Sequence, residues 1–134
     1  MQIPFENVYQ NASGRMDLEE DIERLAEDYE VHKPRKVKDF IEKNAELIAY
    51  INRITPIINN YFPNYRKCLT FCPDPEYDEL DDITIYINSL KSEFDADWKK
   101  LDELERELFH ITEFSTRIKG LVSVDLCLKE CVHA

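Results

Sequence analysis

Residues 83–87 read Ile-Thr-Ile-Tyr-Ile, an alternation that constrains the fold more than any other feature of the chain. In an extended strand the three isoleucines share one face, while Thr84 and Tyr86 share the other. Stretches with helical spacing lie on both sides of this strand, so the chain is neither all-helical nor all-β. The pattern predicts an α+β fold.

A second strand is predicted at Cys68–Cys72, a short β-prone segment that is followed by Pro73 and Pro75. Six carboxylates lie among the nine residues 74–82, between this strand and the next. The segment lacks the glycine and the ligand register of an EF-hand calcium loop. We therefore expect an antiparallel hairpin with a solvated acidic loop.

Two helices are predicted before the hairpin. The first covers about residues 18–30, with Asp17 as its cap, and Pro34 stops it. The second runs from Val37 to Ile58, but Pro56 removes one backbone hydrogen bond and clashes with the preceding turn. We expect this helix to kink or end near Ile54.

A third helix begins near Ser92 and Asp95 and carries an apolar stripe. Trp98 shares the helical spacing of Phe94 and Leu101 in that stripe. This spacing favours a core or interface anchor over a ligand platform.

Residues 111–118 either continue the third helix to a cap at Gly120 or form a strand, and the helix is favoured. Leu121–Leu128 alternates as a last strand. The predicted order is α-α-β-β-α-β, with the third helix as a crossover in a three-stranded sheet that has helices on one face.

Residues 1–16 are predicted to form an irregular arm, and residues 17–134 are predicted to form one domain. Apolar residues on an uncovered opposite face would meet a second copy or another protein.

Several enzyme classes are excluded by the residues that are missing. Two glycines, Gly14 and Gly120, cannot build a phosphate-binding loop or a dinucleotide fingerprint. No serine is flanked as in G-x-S-x-G. The three histidines, His32, His110 and His133, are scattered and match no zinc hydrolase signature. We predict no catalytic residues and no cofactor.

The four cysteines form two C-x-x-x-C pairs, Cys68 with Cys72 and Cys127 with Cys131. Residues four apart on a strand are separated by about 13 Å, which is too far for two ligands of one zinc ion. A site built from one cysteine of each strand and His133 would require adjacent strands. We therefore predict buried structural thiols and no metal.

The net charge is −11, which disfavours binding to nucleic acid without a separate basic patch. Residues 32–38 are the one candidate patch, although a solvated linker balanced by the acidic first helix is the favoured interpretation. No stretch is long and apolar enough to span a membrane, and residues 1–6 lack the pattern of a signal peptide. We expect a cytoplasmic protein with free thiols.

The region 61–128 resembles a family of small uncharacterised bacterial proteins of the cyanobacterial type. The resemblance lies in five segments, which are Tyr61-Phe62-Pro63, the stretch from Leu69 through Pro73-Asp74-Pro75-Glu76, Ile83–Ile87, Phe94–Trp98 and Gly120–Leu126. Related sequences tend to carry a second aromatic residue after the tryptophan and a shorter spacer to the glycine, whereas Lys99 and a long helix follow here. The resemblance implies a compact unit of hairpin, helix and strand, and it implies no activity.

Together these features favour a non-enzymatic protein-interaction module, for example the acidic, antitoxin-like partner of a basic protein. The candidate interaction residues are Tyr65, Arg66, Asp74, Glu76, Asp95 and Trp98.

Two alternatives stay open. One is a small enzyme or ligand sensor that uses Asp74, Glu76 and Asp95 in a cleft between hairpin and helix. The other is nucleic-acid binding through residues 33–38. A homodimer is also expected, through the apolar residues around the end of the second helix. Those residues are Ile57, Ile58, Tyr61 and Phe62.

Overall fold

The computed structural model of the chain describes residues 12–128. The helices are α1 (Ala12–Arg24), α2 (Pro34–Lys43), α3 (Glu46–Tyr61), α4 (Phe94–Phe109) and α5 (Thr116–Lys119). The strands are β1 (Glu30–His32), β2 (Lys67–Cys72), β3 (Asp82–Asn88) and β4 (Val122–Cys127). Short 3₁₀ turns occur at Leu25–Glu27, Asp78–Leu80 and Lys91–Glu93. The predicted α+β class is confirmed.

The strands form one mixed sheet in the order β1-β2-β3-β4. β1 runs parallel to β2, β2 and β3 form the predicted antiparallel hairpin, and β3 runs parallel to β4. Each parallel pair is connected by two helices, α2 and α3 in the first and α4 and α5 in the second. The described sheet therefore consists of two β-α-α-β units joined by the hairpin.

One face of the sheet is apolar and packs against the helices. The register aligns Leu69 of β2 with Ile85 of β3, and Ile85 with Val124 of β4. Ile85 and Leu69 are fully buried, as are Ile51 and Leu104 in the helices that cover them. This layer forms the single hydrophobic core of the described region.

The opposite face carries polar side chains rather than the apolar residues expected there. Because β3 alternates, Thr84 and Tyr86 point away from the core, and the register adds polar residues from the other strands. From β1 and β2 these are Glu30, His32, Cys68, Thr70 and Cys72, and from β4 they are Ser123, Asp125 and Cys127. The expectation of an apolar docking face is wrong.

The first strand, β1, was not predicted. Its three residues lie in the segment that was predicted to be the end of the first helix and the linker after it. Three residues are too few to show an alternation, and β1 exists because it pairs with β2 at Glu30 and Val31. The predicted three-stranded sheet is thus a four-stranded one.

The second predicted helix is interrupted earlier than expected. The break falls at Asn44 and Ala45, between α2 and α3, where the Asn44 side chain donates a hydrogen bond to the carbonyl of Phe40 at 3.0 Å. Pro56, by contrast, lies inside α3, which continues to Tyr61. The helix does not end near Ile54, so that part of the prediction is wrong. Burial of α3 against the core outweighs the loss of one backbone hydrogen bond.

Two boundaries also differ from the prediction. α1 begins at Ala12, so the last part of the expected arm is helical, while residues 1–11 lie outside the described residues. The favoured continuation of the third helix through residues 111–118 is wrong, because α4 ends at Phe109 and residues 110–115 are irregular. Gly120 instead caps the separate short helix α5. Among residues 12–128, no helix is both long and apolar enough to cross a membrane.

Candidate functional site

The six predicted interaction residues lie at opposite ends of the sheet. Tyr65 and Arg66 precede β2, and Asp95 and Trp98 lie in the first turns of α4, which follows β3. Because β2 and β3 are antiparallel, these four residues lie at the same end of the sheet. Asp74 and Glu76 lie in the hairpin loop. The seven residues of β3 separate that loop from α4 by about 20 Å. The structure therefore does not assemble a cleft from Asp74, Glu76 and Asp95.

Asp74 organises the hairpin loop. Its carboxylate accepts hydrogen bonds from the backbone N–H groups of Glu76 at 3.0 Å and Tyr77 at 2.8 Å. Its own N–H donates to the carboxylate of Asp81 at 2.7 Å. These local bonds are typical of an aspartate that stabilises a turn, so Asp74 has a structural explanation.

Tyr65 contacts a residue that the sequence analysis did not select. Its hydroxyl donates a hydrogen bond to Oδ1 of Asp97 at 2.8 Å, and the hydroxyl of Ser89 donates to Oδ2 at 2.6 Å. The ammonium of Lys100 lies 3.3 Å from Asp97 and 4.8 Å from the ring centres of Phe62 and Tyr65. Asp97 is only 1% exposed, and both of its oxygens have donors.

The pKa values of Asp97, Tyr65 and Lys100 are all shifted further from pH 7. Burial alone would raise the pKa of Asp97, but the hydrogen bonds from Ser89, Tyr65 and Lys100 together hold it below its usual value. The hydrogen bond to Asp97 raises the pKa of Tyr65. Burial would lower the pKa of Lys100, but Tyr65 and Asp97 together raise it. Groups with such shifts keep one protonation state near pH 7, which favours a structural network over acid–base catalysis.

Trp98 is 51% exposed, so its predicted place in the core is wrong and its alternative role as an interface anchor stays a prediction. The buried stripe of α4 contains the predicted Leu101, Leu104 and Leu108, but Asp97 takes the place predicted for Trp98. The indole instead stacks on Phe94, with ring centres 5.8 Å apart and an angle of 19° between the planes.

Carboxylates lie on both sides of the exposed Trp98 along α4. Asp95 and Asp102 lie three residues before and four residues after Trp98, which places all three on one side of α4. We call Phe94, Asp95, Trp98 and Asp102 the Trp98 surface. Across residues 93–109 the exposed acidic side chains outnumber the exposed basic ones by six to two. The acidic ones are Glu93, Asp95, Asp102, Glu103, Glu105 and Glu107, and the basic ones are Lys99 and Arg106.

Arg66 is paired with Glu30 of β1, to which its Nε donates a hydrogen bond. This bond lowers the pKa of Glu30, with a smaller contribution from His32. Nε2 of His32 lies 3.6 Å from the other carboxylate oxygen of Glu30. Cys68, which is 1% exposed, completes a group whose potential ligand atoms all lie within 4.8 Å of one another.

The cysteines differ in their bonding. Cys68 is disulfide-bonded, so the expectation of a free thiol is wrong for this residue, whereas Cys72 and Cys127 are half-buried and are not in disulfides. That expectation came from the pattern of residues 1–6, which does not tell which sulfur atoms the fold brings together. β3 separates β2 from β4, so Cys68 and Cys127 are not on adjacent strands. Cys131 and His133 lie outside the described residues.

Residues 32–38 join β1 to the start of α2. Pro34 occupies the first turn of α2, and Lys33 before it has the left-handed conformation with φ 52°. Lys38 forms a 2.9 Å ion pair with Glu19 of α1, as the balanced-linker interpretation predicts. Arg35 and Lys36 are exposed.

The apolar residues expected at a dimer interface are largely used inside the fold. Ile58 and Phe62 are fully buried, and Ile57 and Tyr61 are half-buried against the core. Ile58 and Phe62 therefore cannot supply a contact with a second copy.

A pocket of about 290 Å³ lies between the end of α4 and β4, and Glu105, Phe109 and Ser123 are among its lining residues. Lys119 also lines it, but its ammonium donates to the carbonyls of Phe109 at 3.0 Å and Ile111 at 2.7 Å. Lys119 thus links α5 to the end of α4 and to the segment that follows it. None of the six predicted residues lines this pocket.

No protein-family model, curated protein or solved structure matches the chain. The resemblance of residues 61–128 to small bacterial proteins stays a prediction.

Proposed function

We propose that this chain is a protein-binding module whose contact surface is the Trp98 surface and whose partner presents a basic, partly apolar surface. The observation that supports this most strongly is the exposed indole of Trp98. Tryptophan is enriched among the residues that dominate binding energy at protein interfaces, because its large ring buries much area with little loss of conformational freedom.

The aromatic pair is also held in place before any partner arrives. Phe94 is half-buried against the core, and the indole of Trp98 stacks on it. A ring that is already oriented loses less conformational entropy on binding than a mobile one. The stack therefore supports a contact role for Trp98.

The charge around Trp98 favours a basic partner. The exposed side chains of residues 93–109 carry a net negative charge, as does the whole chain at −11. Carboxylates at the rim of an apolar contact steer a cationic partner and repel acidic ones. The antitoxin-like role predicted from composition is one instance of this function.

An affinity capture from the native host with Trp98→Ala and Phe109→Ala variants tests the proposal. Phe109 is the matched control, because it is an exposed aromatic residue at the other end of α4. We expect the native chain and Phe109→Ala to retain the same basic protein at a fixed ratio, and Trp98→Ala to lose it.

The captured protein is then purified and titrated against each variant at increasing salt. A hot-spot tryptophan contributes at least about 2 kcal/mol, so Trp98→Ala should weaken the affinity about 30-fold. Equal binding by Trp98→Ala, or affinity that does not change with salt, would contradict the proposal.

A further inference from the structure

The polar face of the sheet brings together three side chains that carry metal-binding atoms. Glu30 and His32 are two residues apart on β1, so both point to this face. The parallel register places Cys68 of β2 directly beside Glu30 and two residues before Thr70, the partner of His32. The sheet itself therefore juxtaposes a carboxylate, an imidazole and a sulfur.

The spacing of these atoms suits one small cation. The ligand atoms of a zinc ion lie about 3–4 Å from one another, because each is bonded at about 2.0–2.3 Å in a tetrahedron. Nε2 of His32 and Oε1 of Glu30 are 3.6 Å apart, and all three potential ligand atoms lie within 4.8 Å of one another. The largest separation between ligand atoms therefore has to shrink by roughly 1 Å for all three to bind one zinc ion.

The surroundings of the cluster suit a held ion. The sulfur side is dry, since Cys68 is 1% exposed and the His32 side chain is 16% exposed, while Glu30 is open to solvent. Arg66 contacts Oε2 of Glu30, and Oε1 is the oxygen that faces His32. Arg66 can thus orient the carboxylate of Glu30 through Oε2 while Oε1 binds a metal.

We propose that Glu30, His32 and Cys68 form a zinc site that is available only when Cys68 is reduced. A thiolate and an imidazole select zinc over calcium or magnesium, which prefer oxygen ligands alone. Three protein ligands leave a fourth position for water or for an external ligand.

The disulfide of Cys68 makes this site dependent on redox state. A dithiol reductant attacks the disulfide, the S–S bond of the protein breaks, and an S–S bond forms in the reductant. Two electrons and two protons pass to the protein, which gains two thiols. Zinc then displaces the proton of the Cys68 thiol and binds the thiolate. In the oxidised protein that sulfur has no thiolate to offer.

Metal titration of the full chain in two redox states tests the proposal. Zn²⁺ is titrated by calorimetry into protein reduced with a phosphine and into untreated, disulfide-bonded protein, and Co²⁺ replaces Zn²⁺ for absorption spectra. We expect one equivalent of metal to bind the reduced protein, with a thiolate-to-cobalt charge-transfer band. The disulfide-bonded protein should show neither.

Four variants are titrated in the reduced state, where no disulfide contributes to stability. Cys68→Ser and His32→Ala should lower zinc affinity by at least about 100-fold, since even groups behind metal ligands contribute about 10- to 100-fold. Arg66→Ala should lower it less. Cys72→Ser is the matched control, because Cys72 is a free thiol on the same strand and face.

Circular dichroism of each variant confirms that it has folded before its titration is interpreted. Should His32→Ala fail to fold, Glu30→Gln replaces it, since Glu30 is exposed to solvent. The proposal is overturned if the reduced protein binds no zinc, if oxidation leaves the affinity unchanged, or if Cys68→Ser binds as the native chain does.

Discussion

The hydroxyl of Tyr65 and the buried carboxylate of Asp97 are joined by a 2.8 Å hydrogen bond across 32 residues of sequence. Tyr65 precedes β2, and Asp97 lies in the first turns of α4, so the bond connects the two β-α-α-β units at one end of the sheet. Ser89, which follows β3, bonds to the same carboxylate. Asp97 is therefore the point where three segments of the chain meet.

Replacement of Asp97 by alanine should lower the free energy of unfolding by about 2–4 kcal/mol. The change leaves the hydroxyls of Tyr65 and Ser89 without their acceptor, and it leaves Lys100 without its counterion. Urea unfolding at pH 7 measures the loss. Asp95→Ala is the matched control, because Asp95 is exposed on the same helix, and its effect should stay within about 0.5 kcal/mol. Equal effects of the two variants would contradict the structural role of Asp97.

The contribution of Asp97 should also depend on pH. Its pKa is lower in the folded chain than in the unfolded chain, so the unfolded chain binds more protons as the pH falls past the unfolded value of about 4. The stabilisation is thus fully present above about pH 4 and is lost as the pH falls through the folded pKa.

Asp97→Asn isolates this effect, since asparagine does not titrate. The difference in unfolding free energy between the native chain and Asp97→Asn should be largest near pH 7 and should shrink below about pH 4. Urea unfolding at several pH values measures it. A difference that stays constant from pH 7 to pH 3 would show that the carboxylate of Asp97 keeps an ordinary pKa.

Stability measurements should distinguish the Trp98 surface from the core of α4. Trp98→Ala should cost about 1 kcal/mol, which corresponds mainly to the lost stack on Phe94. Leu101→Ala, three residues later but 3% exposed, should cost about 2–5 kcal/mol because it opens a cavity. Thermal unfolding of both variants compares them. A larger loss for Trp98→Ala would place the indole in the core after all.

The hairpin, the third helix and the last strand were predictable because their signals are local. The alternation of residues 83–87 and the helical period after Ser92 each extend over several residues. β1 was not predictable in this way, since its three residues are a strand only because β2 lies beside them. The cluster of Glu30, His32 and Cys68 was missed for the same reason.

The stripe of α4 shows why the site was only partly predictable. Trp98 and Asp97 are neighbours, and the hydrophobic period alone assigned the burial to the more apolar of the two. The structure buries Asp97, because Tyr65, Ser89 and Lys100 offset the cost of removing its charge from water. Asp97 lies four residues before Leu101 and seven before Leu104, which is the spacing of the buried face of a helix. This spacing alone does not predict burial of a carboxylate, because its hydrogen-bond partners are distant in sequence.

Pro56→Ala should stabilise the chain. Pro56 is exposed inside α3 and has no N–H to donate to the carbonyl of Asn52, whereas an alanine would supply that bond. Proline in a helix interior costs about 3 kcal/mol relative to alanine, of which its stiffening of the unfolded chain returns about 0.4–1 kcal/mol. We expect a net gain of about 2–2.6 kcal/mol in unfolding free energy, measured in urea.

Pro63→Ala is the control for this prediction, because Pro63 is exposed in the turn after α3. There the substitution removes only the stiffening of the unfolded chain, so it should cost up to about 1 kcal/mol. If Pro56→Ala raises the free energy of unfolding and Pro63→Ala lowers it, then Pro56 destabilises α3. If Pro56→Ala is instead destabilising, the packing of Tyr29 and Thr55, whose hydroxyls lie 2.7 Å apart beside it, depends on the proline.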